Sequence, residues 1–122
     1  MRKRILIVED EISIQQLLRL VLARQGYDVH TCQSGRDAIA RMKELRPHLV
    51  MLDVMLPGLD GKSVVSIMHQ DDDLSGIPVI VMSALIESEG MFKPFPQVTA
   101  FCAKPFVLKE LVIKVKQALG DA

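Results

Sequence analysis

Five short apolar runs rich in β-branched residues, separated by segments of helical period, constrain the fold more than any other feature of the chain. They are Ile5-Leu-Ile-Val8, Tyr27 to Thr31, Leu49 to Leu52, Pro78 to Met82 and Thr99 to Ala103. In the first intervening segment Ile14, Leu17, Leu18, Val21 and Leu22 share one helical face. Ser13 and Gln16 have the spacing of a capping box there, and Gly26 reads as the stop. Ser34-Gly-Arg-Asp37 opens a second helix, which Pro47 closes. Asp60 or Gly61 opens a third, with Val64, Val65, Ile67 and Met68 inward. A last helix runs from about Val107 to Leu119, with Leu108, Leu111, Val112 and Val115 inward. Such alternation of strand and helix predicts an α/β fold, a parallel sheet with helices on both faces. The first and third runs lack polar alternation, as central parallel strands should.

The 122 residues fit one domain, 1–122, with no linker, repeat or low-complexity stretch. Aromatic residues are scarce (no Trp, one Tyr, four Phe), so Val, Ile, Leu, Met and Ala must build the core. Fifteen basic residues balance fifteen acidic ones. A neutral chain lacks the basic footprint of a nucleic-acid binder, so no direct nucleic-acid partner is expected. The Met1-Arg-Lys-Arg4 cluster reads as a solvated N-terminus. No signal peptide and no run of membrane-spanning length is visible, which predicts a cytoplasmic protein with no membrane partner. Cys32 and Cys102 sit inside apolar runs and read as two reduced, buried thiols; no CxxC or Cys/His cluster suggests a metal site. His30, His48 and His69 show no ligand spacing and read as surface or strand-end residues.

In an open α/β sheet, ligands bind beyond the carboxyl ends of the strands. Glu9-Asp10-Glu11 follows the first run, Asp53 the third, Ser83-Ala84 the fourth and Lys104-Pro105 the fifth. Each has an ordinary explanation as a cap, a turn or an exposed residue, except Asp53. That acid ends an apolar strand and lies several residues before the next helix, so a purely structural carboxylate there would need a partner. Acids converging in one pocket repel unless a cation sits among them. Oxygen-only ligands suit a hard divalent ion such as Mg²⁺. A lysine and a hydroxyl facing the same pocket suit an incoming phosphoryl group.

At these residues the chain resembles the receiver domain of two-component response regulators. The resemblance rests on Ile5-Leu-Ile-Val-Glu-Asp-Glu11, on Asp53 followed by Met-Leu-Pro-Gly-Leu-Asp-Gly61, on Pro78-Val-Ile-Val-Met-Ser-Ala84 and on Lys104-Pro-Phe106. The set in this order and spacing spans nearly the whole chain. It implies a doubly wound, flavodoxin-like, five-stranded parallel sheet of order 2-1-3-4-5. It further implies that Asp53 is the phosphoacceptor and that Glu9 and Asp10 form the acidic pair holding Mg²⁺ or Mn²⁺, with Asp53 and the backbone carbonyl of Met55 as further ligands. Lys104 would pair with the phosphoryl oxygens and Ser83 would hydrogen-bond the phosphoryl group. Phe101 falls at the switch aromatic position, and the Lys104-Pro105 bond is expected to be cis. The implied donor is a sensor histidine kinase or phosphotransfer protein. The implied readout is the face made by the fourth helix, fifth strand and last helix, acting on an effector domain or protein; homodimerisation through that face is a further expectation. The domain would catalyse its own phosphorylation and slow dephosphorylation, as a signalling unit rather than a metabolic enzyme.

The chain also departs from the family. Residues 87–98, ESEGMFKPFPQV, carry Pro94 and Pro96 where a full helix is usual. Proline costs roughly 3 kcal/mol inside a helix, so a helix from about Glu87 can hardly pass Lys93. The fourth helix is therefore predicted short, distorted or absent, with Met91, Phe92 and Phe95 partly exposed or folded back over the sheet. The last helix has Val107 where a side-chain cap is usual. With the implied strand order, Cys32 and Cys102 lie four strand spacings apart, roughly 19 Å. A disulfide needs Cα atoms within about 7 Å, so they cannot pair in the folded monomer. Three rival functions remain. A phosphorylation-independent pseudo-receiver would act as an interaction module. A dehalogenase-type phosphatase would need an Asp where Met55 stands. A nucleotide or flavin binder would need a Gly-rich loop where the chain has VEDEISI.

Overall fold

Each apolar run forms a strand, and all five pair in parallel. The computed structural model describes residues 2–56, 58–84 and 90–121. The elements run β1 (Arg4–Val8), α1 (Ile12–Arg24), β2 (Asp28–Cys32), α2 (Gly35–Leu45), β3 (Leu49–Asp53), α3 (Gly61–Gln70), β4 (Val79–Ser83), β5 (Val98–Ala103) and α4 (Leu108–Ala118). The sheet order is β2-β1-β3-β4-β5, as the resemblance implied. β3 and β4 are buried at every position, which is why their sequences show no polar alternation. Alternate residues enter opposite layers. Leu6, Val8, Val50 and Leu52 pack with α2 and α3. Ile5, Ile7, Leu49 and Met51 pack with α1 and α4. Thr99 is an extra residue in β5, since Val79 pairs with Val98 and Ile80 with Ala100.

The helix ends follow the sequence in part. Ser34 and Asp60 cap α2 and α3, accepting from Asp37 N–H (3.2 Å) and Ser63 N–H (2.8 Å). Gly26 follows α1 with φ +94°, a conformation glycine adopts freely. The capping box at Ser13 and Gln16 does not form: α1 starts at Ile12 with Glu11 in cap position and no side-chain cap bond. Ser13 already lies inside the first turn, where a hydroxyl cannot serve as the cap. Leu17 and Ile67, read as inward, stand 40% and 39% exposed at the margins of their apolar stripes. Val107 precedes α4 with no side-chain cap bond, as expected. Cys102 is buried but Cys32 only half-buried, and both thiols are free.

Between β4 and β5 the described residues hold no α-helix, only a single 3₁₀ turn over 90–92. Residues 85–89, which include the start expected for the fourth helix, lie outside those described. Beyond the turn the backbone closes on itself through Phe95 N–H to Phe92 O (3.0 Å) and Val98 N–H to Phe95 O (3.1 Å). Phe92 folds back into the layer shared with α2 and α3, Phe95 is half-buried against it, and Met91 stays exposed.

One close approach fixes the end of β3. A Cβ at Gly61 would lie 2.8 Å from both Asp53 O and Val54 Cα, and Gly61 N–H bonds Val54 O at 3.0 Å. The start of α3 thus rests directly on the strand end that carries Asp53. Gly61→Ala should cost about 1–3 kcal/mol of stability through overpacking, read as a lower urea midpoint at unchanged slope.

Candidate functional site

The site is assembled where β1, β3, β4 and β5 end. Glu9 follows β1 and stays in the sheet's register, since its N–H bonds Cys32 O at 3.0 Å. Its side chain is fully buried. Gln15, on the inward face of α1, donates its amide to Glu9 O, and Glu11 N–H reaches Glu9 Oε2 at 3.4 Å. Asp10, the next residue, is exposed. Asp53 is the last residue of β3, opposite Met82 of β4, and is only 4% exposed. One of its oxygens accepts Met55 N–H at 3.0 Å; the other accepts Lys104 Nζ at 3.0 Å. The same ammonium donates to Glu9 Oε1 at 2.6 Å. Lys104 is fixed at its backbone, where its N–H bonds Ser83 O at 2.9 Å, and its bond to Pro105 is cis.

Glu9, Asp10, Asp53 and Lys104 therefore converge, as the sequence reading required. Ser83 is buried at the end of β4 and touches the cluster through the Lys104 backbone. Met55 presents its N–H to Asp53, while its side chain is exposed. Phe101 lies outside the cluster: it stands opposite Val81, half-buried on the α2/α3 layer. Its carbonyl accepts Lys114 Nζ from α4 at 2.7 Å. Sequence reasoning missed Gln15, and it read Gly61 as a helix start without its close approach to Asp53. The signal for Gln15 was its spacing from Leu18 and Leu22, which places it on the buried face of α1.

Burial is the main force pushing the Glu9 carboxyl up to about 7; its hydrogen bond with Asp53 adds to the rise, and Lys104 opposes it. Burial also pulls on Lys104, but its bonds to Glu9 and Asp53 outweigh that and raise its pKa. One oxygen from each of Glu9, Asp10 and Asp53 lies within 4.8 Å of the others. This all-carboxylate set fits a hard divalent cation, and the ammonium bonded to two of its members shows that a positive charge is accommodated there.

A doubly wound sheet with this acid cluster and lysine at its strand ends has the architecture of a receiver domain. The chain belongs to the Response regulator receiver domain family, which it matches over residues 5–116. It is 36% identical over 120 residues to the DNA-binding response regulator MtrA of Mycobacterium tuberculosis, covering 98% of this chain and 51% of that protein. The chain spans about half the length of the curated relatives it matches. Among solved structures it is similar to the chemotaxis response regulator CheY4 of Vibrio cholerae, with TM-score 0.90, 26% identity and coverage of 98% and 100% of the two chains. It is also similar to the receiver domain of a sensor histidine kinase from Pseudomonas aeruginosa PAO1, described with a magnesium ion coordinated in its active-site cleft. There the TM-score is 0.88 at 25% identity, with 99% and 100% covered. No helix among the described residues is long and apolar enough to cross a membrane.

The raised Glu9 value has a direct check. Glu9 binds its proton more tightly folded than unfolded, so in metal-free protein stability falls as pH rises from about 4.5 through about 7. Carbon-detected NMR in EDTA should show the Glu9 carboxyl titrating near 7, and Lys104→Met should move it higher still. Glu9→Gln should flatten the stability slope across that window.

Proposed function

We propose that residues 1–122 form one receiver domain that takes a phosphoryl group onto Asp53 from the phosphohistidine of a sensor histidine kinase or phosphotransfer protein. The observation that carries this reading is the setting of Asp53. It is a nearly buried carboxylate at the end of an apolar strand, with Lys104 Nζ at 3.0 Å and two further acids beside it. Glu9, Asp10 and Asp53, with the backbone carbonyl of Met55, would hold Mg²⁺ or Mn²⁺. When bound, such an ion supplies charge neutralisation at the phosphoryl oxygens.

The chain's own groups do the rest. A carboxylate oxygen of Asp53 bonds to phosphorus as the phosphorus–nitrogen bond to histidine breaks, leaving an acyl phosphate and an imidazole that takes up a proton. Met55 N–H, bonded to one Asp53 oxygen, sets the carboxylate's orientation. Lys104, already bonded to the other oxygen, offsets charge on the transferred group. A carboxylate is a weak nucleophile, so positioning must supply much of the rate. β3, held from behind by Gly61, provides it. Ser83, at the end of β4, would hydrogen-bond the phosphoryl group and carry its loop with it. Phe101 would respond on β5, on the face that an effector domain or protein, or a second copy, reads. A cytoplasmic site of action agrees with a kinase donor.

Incubation with Mg²⁺ and acetyl phosphate should add one phosphoryl group to the wild type and none to Asp53→Asn, read by intact mass. Lys104→Ala should bind Mg²⁺ yet slow the transfer at least about tenfold, since a charge-assisted contact is worth roughly 1.5–3 kcal/mol. If the wild type takes up no phosphoryl group and binds neither Mg²⁺ nor beryllofluoride, a phosphorylation-independent interaction module replaces this reading.

A further inference from the structure

Glu9 is held at both of its backbone polar groups. Its N–H bonds Cys32 O of β2 at 3.0 Å, and its carbonyl accepts the side-chain amide of Gln15. That carbonyl belongs to the peptide joining Glu9 to Asp10. A peptide is planar, so a grip on its oxygen fixes the plane from which Asp10 starts. The carboxylates of Asp53 and Glu9 are anchored directly: Met55 N–H and Lys104 hold the first, Lys104 and Glu11 N–H the second. Asp10 is the exposed member of the three. Where its carboxylate can reach is set by the backbone behind it.

The residue that grips this peptide is an unusual one for its place. Gln15 shares the inward face of α1 with Leu18 and Leu22 and is only 8% exposed. A buried amide is costly without a partner, and an apolar side chain would fill the layer as well. α1 also lacks a side-chain cap, since Glu11 makes no cap bond. The tie between the helix and the acid-bearing connection comes from one turn further in. Gln15 N–H bonds Glu11 O at 3.1 Å, and the Gln15 side chain reaches back to Glu9.

Three carboxylates with oxygens within 4.8 Å of one another attract any divalent cation. Rigidity decides between ions: Mg²⁺ demands near-ideal octahedral geometry, whereas Ca²⁺ accepts more ligands in a flexible one. We propose that Gln15 is a positioning residue that fixes the Glu9–Asp10 peptide and thereby makes the cluster selective for Mg²⁺ over Ca²⁺. The inference rests on the phosphoacceptor reading above for the ion's place and adds what sets the ion's identity.

Gln15→Met keeps the length and nearly the volume of the side chain and removes the donor. Circular dichroism and the urea midpoint establish that the variant is folded. Mg²⁺ and Ca²⁺ are titrated separately into the wild type and the variant, read by the amide shifts of residues 53–55 and Lys104. Gln15→Met should bind Mg²⁺ at least about tenfold more weakly, as loss of a hydrogen bond behind a metal ligand commonly does. Its Ca²⁺ affinity should stay within about twofold of the wild type, because a flexible shell tolerates a displaced ligand. A residue that only packs the helix would lower both affinities alike or neither, and either result overturns the proposal while the phosphoacceptor reading stands. The wild type supplies a second arm that needs no variant. Coupling is reciprocal, so Mg²⁺ should slow exchange of the Gln15 side-chain amide protons at least about threefold, and Ca²⁺ should leave it unchanged. Equal protection by both ions, or by neither, overturns the proposal. If the wild type binds no Mg²⁺ at all, the metal-assisted reading of the site falls with it.

Discussion

Two carboxylates buried at the ends of neighbouring strands need a counter-charge, and the rest of the site is arranged to provide it. Glu9 follows β1 and Asp53 ends β3, and the two strands lie side by side. Left alone they would repel and would keep a proton rather than a charge. The ammonium that answers them comes from beyond β5, with β4 in between. Two strand spacings are about 9.6 Å, more than a lysine side chain spans with ease. Lys104 reaches over the end of β4, where Ser83 O accepts its backbone N–H at 2.9 Å and fixes the point from which its side chain starts. The sheet order, the length of β4 and the choice of lysine are one solution to one electrostatic problem.

This explains which parts of the molecule were legible in the sequence. The strand runs could be read because burial on both faces requires unbroken apolar stretches. The site could be read because polar residues at the ends of such stretches are costly unless they have partners. Both depend on constraints that act residue by residue. The capping of α1 did not follow, because a cap depends on where the preceding strand lets go, and three acids occupy the connection from Val8 to Ile12. Leu17 and Ile67 were misplaced for a similar reason: helical period gives a direction but not the width of the buried stripe. Gln15, and the close approach made by Gly61, were not foreseen because each acts through the backbone of another residue, which no side-chain pattern announces.

The prolines of residues 94 and 96 were informative in a different way. They excluded a regular helix without saying what would replace it. The replacement places Phe92 in the apolar cluster that also draws on β1, β3, β4, α2 and α3, parts of the chain far apart in sequence. Local chemistry therefore predicted a helix that is short, distorted or absent, and tertiary packing decided how the described residues 90–97 run. The result separates two jobs that one helix would combine: Gln97 anchors the chain to β4 and to the loop after α3, and Phe92 covers the core.

That separation bears on how a charge event could be felt at a distance. Asp53 stands between Leu52 and Val54, which belong to the same apolar layer as Phe92, and Lys104 ties the cluster to the ends of β4 and β5 as well. These strands run in register from Val81 and Phe101 to Ser83 and Ala103. A single ammonium already bonded to two carboxylates has little freedom to accept a third anion without shifting, and its backbone is bonded to the last residue of β4. Any such shift is applied where β4 and β5 end, two residues beyond the pair formed by Val81 and Phe101. A packed layer cannot absorb it by continuous deformation, because side chains occupy discrete rotamers at high density. The layer therefore responds by exchanging one packed arrangement for another.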